Sequence, residues 1–168
     1  MSRRIRTLAS LTALVGAATV LTGCAGEVPM DAAVNANDPA CADVIVRLPK
    51  VVADLERRAT NAQSTGAWGD PAGVLLYCGI EPMGPTTQSC VNVNGVDWIV
   101  DDERAPLYRF EAYGRSPGLQ VVVDSEKASG TAAVLDLSAV VKELPQTRQC
   151  TSIDDTFELG PTGGEPEV

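Results

Sequence analysis

The stretch from Val91 to Val100, with the sequence VNVNGVDWIV, carries the strongest local fold signal in the chain. At its centre, Asn94-Gly95 is the preferred residue pair for a two-residue type I′ hairpin turn. Such a turn selects three cross-strand pairs: Val93 with Val96, Asn92 with Asp97, and Val91 with Trp98. The alternation of apolar and polar side chains selects the same register. We therefore predict an antiparallel hairpin whose apolar face packs on a helix or a second layer.

Four elements are predicted ahead of this hairpin. The first is a strand at Val44–Leu48, after which Pro49 opens a helix whose apolar residues recur at helical spacing. Those apolar residues are Val51, Val52, Leu55 and Ala59. A polar loop follows at 61–71, and Val74–Cys78 has the composition of a buried strand.

Two strands and a helix are predicted after the hairpin. The strands are Leu107–Tyr113 and Leu119–Asp124, joined by a turn that contains glycine and proline. The helix runs over Thr131–Leu144, and Pro145 ends it. This order of elements predicts an α+β fold with two layers, in which two helices lie on one face of a mainly antiparallel sheet.

The N-terminus has the layout of a signal peptide. Three arginines precede the apolar stretch Leu8–Leu21, which at roughly 21 Å is too short for a bilayer core of about 30 Å. The stretch ends in Leu21-Thr22-Gly23-Cys24, which resembles the lipobox of bacterial lipoproteins, where the cysteine thiol is diacylated and the signal is cut just before it. We predict a lipid anchor at Cys24, with acyl chains such as palmitate, on the extracellular face of the cytoplasmic membrane. The alternative is an ordinary secretory signal cut near Ala25.

Composition excludes several classes of function. The chain of 168 residues has 13 Lys+Arg, 22 Asp+Glu and no histidine, which rules out a Ser-His-Asp triad, a Cys-His pair and a histidine metal ligand. An acidic chain without a basic run is a poor nucleic-acid binder. Loss of the three signal arginines leaves 10 basic residues against the same 22 acids, a net charge of −12. We expect the acyl anchor, rather than the protein surface, to hold the protein on the membrane.

The four cysteines that remain after Cys24 are predicted to form two disulfides, because an even set in an exported protein is typical of disulfide bonding. Three connectivities are possible. We favour Cys78–Cys90, which closes a local loop between two neighbouring strands, and Cys41–Cys150, which ties the start of the domain to its end. The spacings are not C-x-x-C, so a catalytic or metal-binding thiol is disfavoured, and neither a metal nor another cofactor is predicted.

The chain divides into four parts by composition. Residues 1–23 are the signal peptide, 24–40 a flexible tether, 41–151 a single domain and 152–168 a disordered acidic tail. The tail carries five acids without Lys or Arg, and its glycines and prolines disfavour regular structure. A docking role for this tail is the alternative to a solubilising one.

The best candidate for ligand binding is the polar loop, which offers Gln63, Ser64, Trp68 and Asp70. An indole flanked by glycines can stack on a sugar or a peptide. The alternative is that Trp68 belongs to the core beneath the loop. No histidine and no Ser-x-x-Lys motif activates Ser64, so nucleophilic catalysis is disfavoured.

Two further features carry charge. Arg115 is a candidate for an anionic ligand, with an ion pair to a domain acid such as Glu111 as the alternative. The acidic group Asp97, Asp101, Asp102 and Glu103 offers oxygens for a cation such as Ca²⁺ or carboxylates for glycoside hydrolysis. Its spacing is not that of an EF-hand, and a solvated strand end is the alternative interpretation.

Six motifs in order resemble an uncharacterised actinobacterial lipoprotein family, DUF3515, over about 41–151. They are VIVRLP at 44–49, AQSTGAWGDP at 62–71, CGIEP at 78–82, VNGVDW at 93–98, YGR at 113–115 and LPQTRQC at 144–150. The resemblance implies a cell-envelope lipoprotein and brings no activity, ligand or catalytic residue. We expect a non-catalytic binding or accessory protein with an envelope protein or a cell-wall component as partner. The alternative is a small carboxylate-based hydrolase or metal-binding enzyme.

Overall fold

A computed structural model of the protein describes residues 26–151. The helices are α1 (Pro39–Val46) and α2 (Gly130–Val141), and the strands are β1 (Val51–Val52), β2 (Leu55–Arg58), β3 (Thr65–Gly69), β4 (Ala72–Ile80), β5 (Cys90–Val93), β6 (Val96–Asp101), β7 (Leu107–Ala112) and β8 (Gly118–Asp124). The strands form one antiparallel sheet in the order β1-β2-β3-β4-β8-β7-β6-β5. The signal peptide with Cys24 and the tail 152–168 lie outside the described residues.

The predicted α+β architecture is confirmed. The inner face of the sheet carries the core, including the fully buried Trp68 and Trp98. Helix α2 lies across this face and contacts both edge strands, since Asp136 accepts a hydrogen bond from Ala53 N beside β1 and Ser138 donates one to Val93 O in β5. The sheet therefore curls around α2. Within residues 26–151, neither helix is long and apolar enough to cross a membrane.

The hairpin at Val91–Val100 is confirmed with its predicted register: Val93 pairs with Val96, Asn92 with Asp97, and Val91 with Trp98. Asn94 and Gly95 have φ of 50° and 76°, as a type I′ turn requires. The apolar face of the hairpin packs against α2, as expected. The strands at 74–78, 107–113 and 119–124 and the helix predicted at 131–144 are also present, with small shifts at their ends.

The prediction for residues 44–58 is wrong. Residues 44–46 belong to α1, because Asp38 caps the helix by accepting a hydrogen bond from Ala40 N at 2.9 Å and Pro39 occupies its first turn. No capping side chain precedes Pro49, and the segment after it is the hairpin β1–β2. Ala53 and Asp54, with φ of 48° and 64°, make its turn. The spacing of the apolar residues alone fits both a helix and this hairpin, so it could not distinguish between them.

The predicted disulfide pairing is also wrong. The bonds are Cys41–Cys78 and Cys90–Cys150. Strands β4 and β5 are not neighbours, because three strands lie between them. At about 4.8 Å per strand this separates them by roughly 19 Å, beyond the Cα distance of about 4.4–6.8 Å that a disulfide needs. Register also places Cys78 on the inner face and Cys90 on the outer face of the sheet.

The tether prediction does not hold for residues from Val28 onward. Val28 N donates to Ala59 O at 2.8 Å, Asn35 N donates to Gly79 O at 2.8 Å, and Met30 and Ala36 are buried. Gly79 has a φ of 94°, and a Cβ there would lie 2.5 Å from the Asn35 carbonyl. The folded domain therefore begins ahead of Cys41, with a segment that packs beside β4.

Candidate functional site

The predicted loop site does not assemble, because its aromatic residue belongs to the core. Residues 65–69 form β3 rather than loop, and Trp68 on this strand is fully buried. Its indole nitrogen donates to Pro49 O at 3.1 Å. The alternative interpretation, that Trp68 is a core residue, is the one the structure confirms.

The other residues of that loop have separate structural contacts. Ser64 is buried with a φ of 56°, and its hydroxyl donates to Ala36 O at 2.6 Å. Asp70 is exposed and pairs with Arg58 at 2.8 Å. Gln63 is exposed. These side chains do not converge on one ligand position.

Arg115 supports the end of α2. Its side chain is buried, and Nη1 donates to Leu144 O at 2.9 Å and to Lys142 O at 3.3 Å. Burial lowers the pKa of Arg115, and the charge of Asp97 partly opposes that shift. Among the described residues it forms no ion pair, whether with Glu111 or with another acid. Arg115 therefore stabilises the segment that follows α2 through these hydrogen bonds, and it does not form a site with the loop residues Gln63, Ser64 and Asp70.

Two members of the acidic group at 97–103, Asp97 and Asp101, accept hydrogen bonds within the fold. Asp97 accepts from Asn92 Nδ2 at 2.7 Å and from Cys150 N at 2.8 Å, while Asp101 accepts from Glu103 N at 3.0 Å. The ligand atoms of Cys90, Asp97 and Cys150 lie within 4.8 Å of one another. Because both sulfurs are in the disulfide, this trio lacks the thiolates that a metal would need.

Two carboxylates, those of Asp101 and Glu111, line a small cavity on the outer side of the sheet. The cavity is about 100 Å³ in volume and is lined by Met83, Gln88, Ile99, Asp101, Arg109, Glu111 and Gln120. Burial raises the pKa of Glu111, and the hydrogen bond from Met83 N at 2.8 Å partly offsets this. Ligand sites are typically about 300–1,000 Å³, so this cavity is small for a sugar-sized substrate.

Replacing Glu111 by glutamine is expected to stabilise the protein slightly at neutral pH. Because the pKa of Glu111 is raised in the folded state, its contribution is full at low pH and is lost as the pH rises through that value. Glutamine keeps an acceptor for Met83 N but does not ionise. Thermal unfolding across pH should show a flatter profile above about pH 4.5 for E111Q. A variant with the wild-type pH profile would contradict this account of Glu111.

An apolar opening lies between the inner face of the sheet and the start of α2. It is a groove of about 360 Å³, lined by Val91, Val100, Tyr108, Phe110, Val123, Ser125, Gly130 and Thr131. Gly130 lets the helix approach closely, because a Cβ there would lie 2.6 Å from the ring of Phe110. None of the eight lining residues carries a carboxylate, an amine, a guanidinium or a thiol.

The groove lies at the start of α2, beside Gly130 and Thr131, where the helix leaves part of the inner face uncovered. Val91 at the end of the sheet is 43% exposed. Leu135, one turn after Thr131 on the same side of α2, is 50% exposed. The hairpin prediction already included an apolar face, but no sequence signal showed that the helix would leave Val91 and Val100 partly open.

Comparison with known proteins yields a family and no further relative. Neither the curated proteins nor the solved structures give a match. A family model described as "Protein of unknown function (DUF3515)" matches residues 6–149, a span that includes every strand and both helices. The chain therefore belongs to the DUF3515 family.

Proposed function

We propose that this protein is a lipid-anchored cell-envelope protein whose domain binds an apolar part of an envelope protein and has no catalytic activity. The observation that carries the binding role is the groove beside Val91, whose lining is apolar and free of strongly ionisable side chains. Such a lining suits apolar side chains better than a hydroxyl-rich glycan. None of the lining residues is a base that could activate the hydroxyl groups of Tyr108, Ser125 and Thr131.

The two disulfides support an exported location for the domain. Cys41–Cys78 and Cys90–Cys150 use all four cysteines of the described residues. Disulfides persist outside the cytoplasm and are rare within it. Together with the lipobox ending at Cys24, they favour a domain held on the extracellular face of the membrane.

The hydrolase alternative has one observation in its favour, which is that Asp101 and Glu111 line the same cavity. Their strands are neighbours, with Ile99 opposite Glu111 and Asp101 opposite Arg109. The volume of about 100 Å³ argues against it. So does the use of both carboxylates as acceptors for main-chain N–H groups, from Glu103 and Met83. We therefore propose that the protein functions by binding a partner at the groove, and not by hydrolysis at this cavity.

Binding at the groove is tested by matched charge substitutions. Val91→Asp puts a carboxylate into the groove, whereas Leu107→Asp puts one at a similarly exposed residue on the outer face of the sheet. After crosslinking in intact cells, we expect V91D to lose most of the envelope protein recovered with the wild type and L107D to retain it. Equal losses in the two variants, with unchanged melting temperatures, would count against the groove.

The anchor is tested by Cys24→Ala, which removes the thiol that carries the lipid. We expect this variant to leave the membrane fraction, because the protein surface with its net charge of −12 has little affinity for anionic headgroups. Thr22→Ser is the control, since it keeps a small residue ahead of Gly23, and it should stay membrane-bound. Tight retention of C24A after a salt wash would refute the lipid anchor.

A further inference from the structure

The described part of the chain begins fastened to the edge of β2, close to the proposed lipid anchor. Nη2 of Arg58 donates to Gly26 O at 2.8 Å, and Val28 N donates to Ala59 O at 2.8 Å. Cys24 is two residues ahead of Gly26. Because consecutive Cα atoms are about 3.8 Å apart, the Cα atoms of these two residues are at most about 7.6 Å apart. A lipid on Cys24 is therefore joined to the sheet without a long tether between them.

The direction of this first segment determines which end of the sheet is nearer to Cys24. Val28 pairs with Thr60 in a parallel bridge, so residues 26–28 run in the same direction as β2. Their N-terminal end therefore points toward the end of the sheet at which β2 begins. Because the strands are antiparallel, the connecting segments at this same end are 53–54, 70–71, 102–106 and 125–129. We call this end of the sheet the anchor end.

The groove opens at the anchor end. Arg58, beside Gly26, belongs to a row of paired residues that crosses the sheet through Ala67, Leu75, Val122 and Arg109. The next residues toward the anchor end on the last two of these strands are Val123 and Tyr108, and both line the groove. Four strand spacings, at most about 19 Å, separate β2 from β7 across the sheet. The groove and the proposed anchor therefore lie at the same height along the strands.

The charges at the anchor end disfavour direct contact with lipid. Its four connecting segments carry five acids, which are Asp54, Asp70, Asp102, Glu103 and Glu126, and two bases, which are Arg104 and Lys127. Anionic headgroups repel such a surface, so the covalent link to the anchor, and not attraction, holds this end near the bilayer. A lipid acyl chain would have to leave the bilayer to enter the groove. A protein segment that rises out of the membrane meets the groove without that cost.

We propose that the partner is a membrane-spanning protein, and that the groove takes an aromatic or aliphatic side chain from the segment in which this protein leaves the bilayer. This inference rests on the proposed anchor and on the proposed binding role of the groove, and it adds the class of partner. Such segments are rich in Trp and Tyr. The rings of Tyr108 and Phe110 line the groove, and aromatic side chains pack favourably against each other in offset or edge-to-face arrangements.

The height of the groove is tested on the lipidated full chain in vesicles of phosphatidylcholine and phosphatidylglycerol that carry nitroxide-labelled headgroups. A fluorescent amino acid replaces Ser125 in the groove lining or, as the matched control, Asn94 in the turn of the opposite end. Both residues are exposed, and position 94 lies about 20 Å farther along the strands. We expect the nitroxide to quench the fluorescence from position 125 and to leave most of that from position 94. Equal quenching at the two positions would overturn the proposal.

The class of partner is tested by lifting the domain away from the membrane in intact cells. Four EAAAK repeats inserted between Ala25 and Gly26 form a semi-rigid helical spacer of about 30 Å. We expect this variant to stay in the membrane fraction with an unchanged melting temperature, but to lose most of the membrane-spanning protein that the wild type recovers by crosslinking. The same insertion between Gly163 and Gly164 is the control and should leave recovery unchanged. Full recovery by the lifted variant would overturn the proposal, as would a crosslinked partner that lacks a membrane-spanning segment or a crosslink to lipid alone.

Failure of this inference can be distinguished from failure of the proposed function. If Val91→Asp loses the partner and the lifted variant keeps it, binding at the groove stands and the position of the partner at the bilayer is wrong. If the lifted variant loses the partner and V91D keeps it, the partner binds near the bilayer but outside the groove, which overturns both proposals. If Cys24→Ala stays in the membrane fraction, the anchor is wrong, and the height assigned to the groove is wrong with it.

Discussion

Replacing Cys41 and Cys78 together by alanine is expected to lower the free energy of unfolding by about 4 kcal/mol and the melting temperature by roughly 15 °C. The disulfide joins residues 37 apart in sequence, so its loss releases considerable chain entropy in the unfolded state. Both cysteines are fully buried between α1 and β4. Thermal and urea unfolding of the paired variant against the wild type measure the change.

The control for this variant is Val46→Ala on the same helix. Val46 is 77% exposed, so its loss should change stability by no more than about 0.5 kcal/mol. Peptide mapping without reduction should link Cys41 to Cys78 and Cys90 to Cys150. A peptide that joins Cys78 to Cys90, or a cost below about 1 kcal/mol for the paired variant, would contradict the pairing described here.

Replacing Trp68 by alanine is expected to cost about 4 kcal/mol. The side chain is fully buried, and truncation leaves both a cavity and an unpaired carbonyl at Pro49. Unfolding at equilibrium in urea measures this cost. Trp68→Phe keeps an aromatic ring in the core and should cost clearly less. If Trp68 were instead an exposed platform for ligands, the alanine variant would remain within about 0.5 kcal/mol of the wild type.

The elements whose structure is determined by residues close together in the sequence were predicted correctly. The hairpin at 91–100 follows from its turn pair and its alternation, two signals that agree on one register. Helix α2 follows from apolar residues at helical spacing before Pro145. In these segments the local preference and the tertiary packing favour the same structure, so the sequence pattern predicts it correctly.

The segment 44–58 was not predictable in this way, because its apolar residues fit two structures. Val51, Val52 and Leu55 match a helical spacing and also a two-residue hairpin. The signal that separates the two is the capping by Asp38 ahead of Pro39, which assigns the helix to an earlier position. Asp38 and Pro39 lie among alanines and asparagines, and this composition led to the prediction of a tether instead of a helix start.

The disulfides and the candidate site depend on long-range geometry. Cys78 and Cys90 are close in sequence, yet three strands separate β4 from β5 because β8 returns beside β4. The groove depends on where α2 begins, because it lies between the inner face of the sheet and the first residues of that helix. Trp68 and Arg115 were singled out for their chemistry, but their partners, Pro49 O and Leu144 O, are 19 and 29 residues away. No local pattern encodes those contacts.

The binding role of the groove is tested most directly by a photoreactive amino acid placed at position 91 of the anchored protein in intact cells. Position 107 is the comparison, because Leu107 is 46% exposed, close to the 43% of Val91, on the outer face of the sheet. Binding at the groove predicts a discrete adduct from position 91, attached to an apolar residue of an envelope protein, and none above background from position 107. Equal adducts from the two positions, or attachment to a glycan, would contradict it.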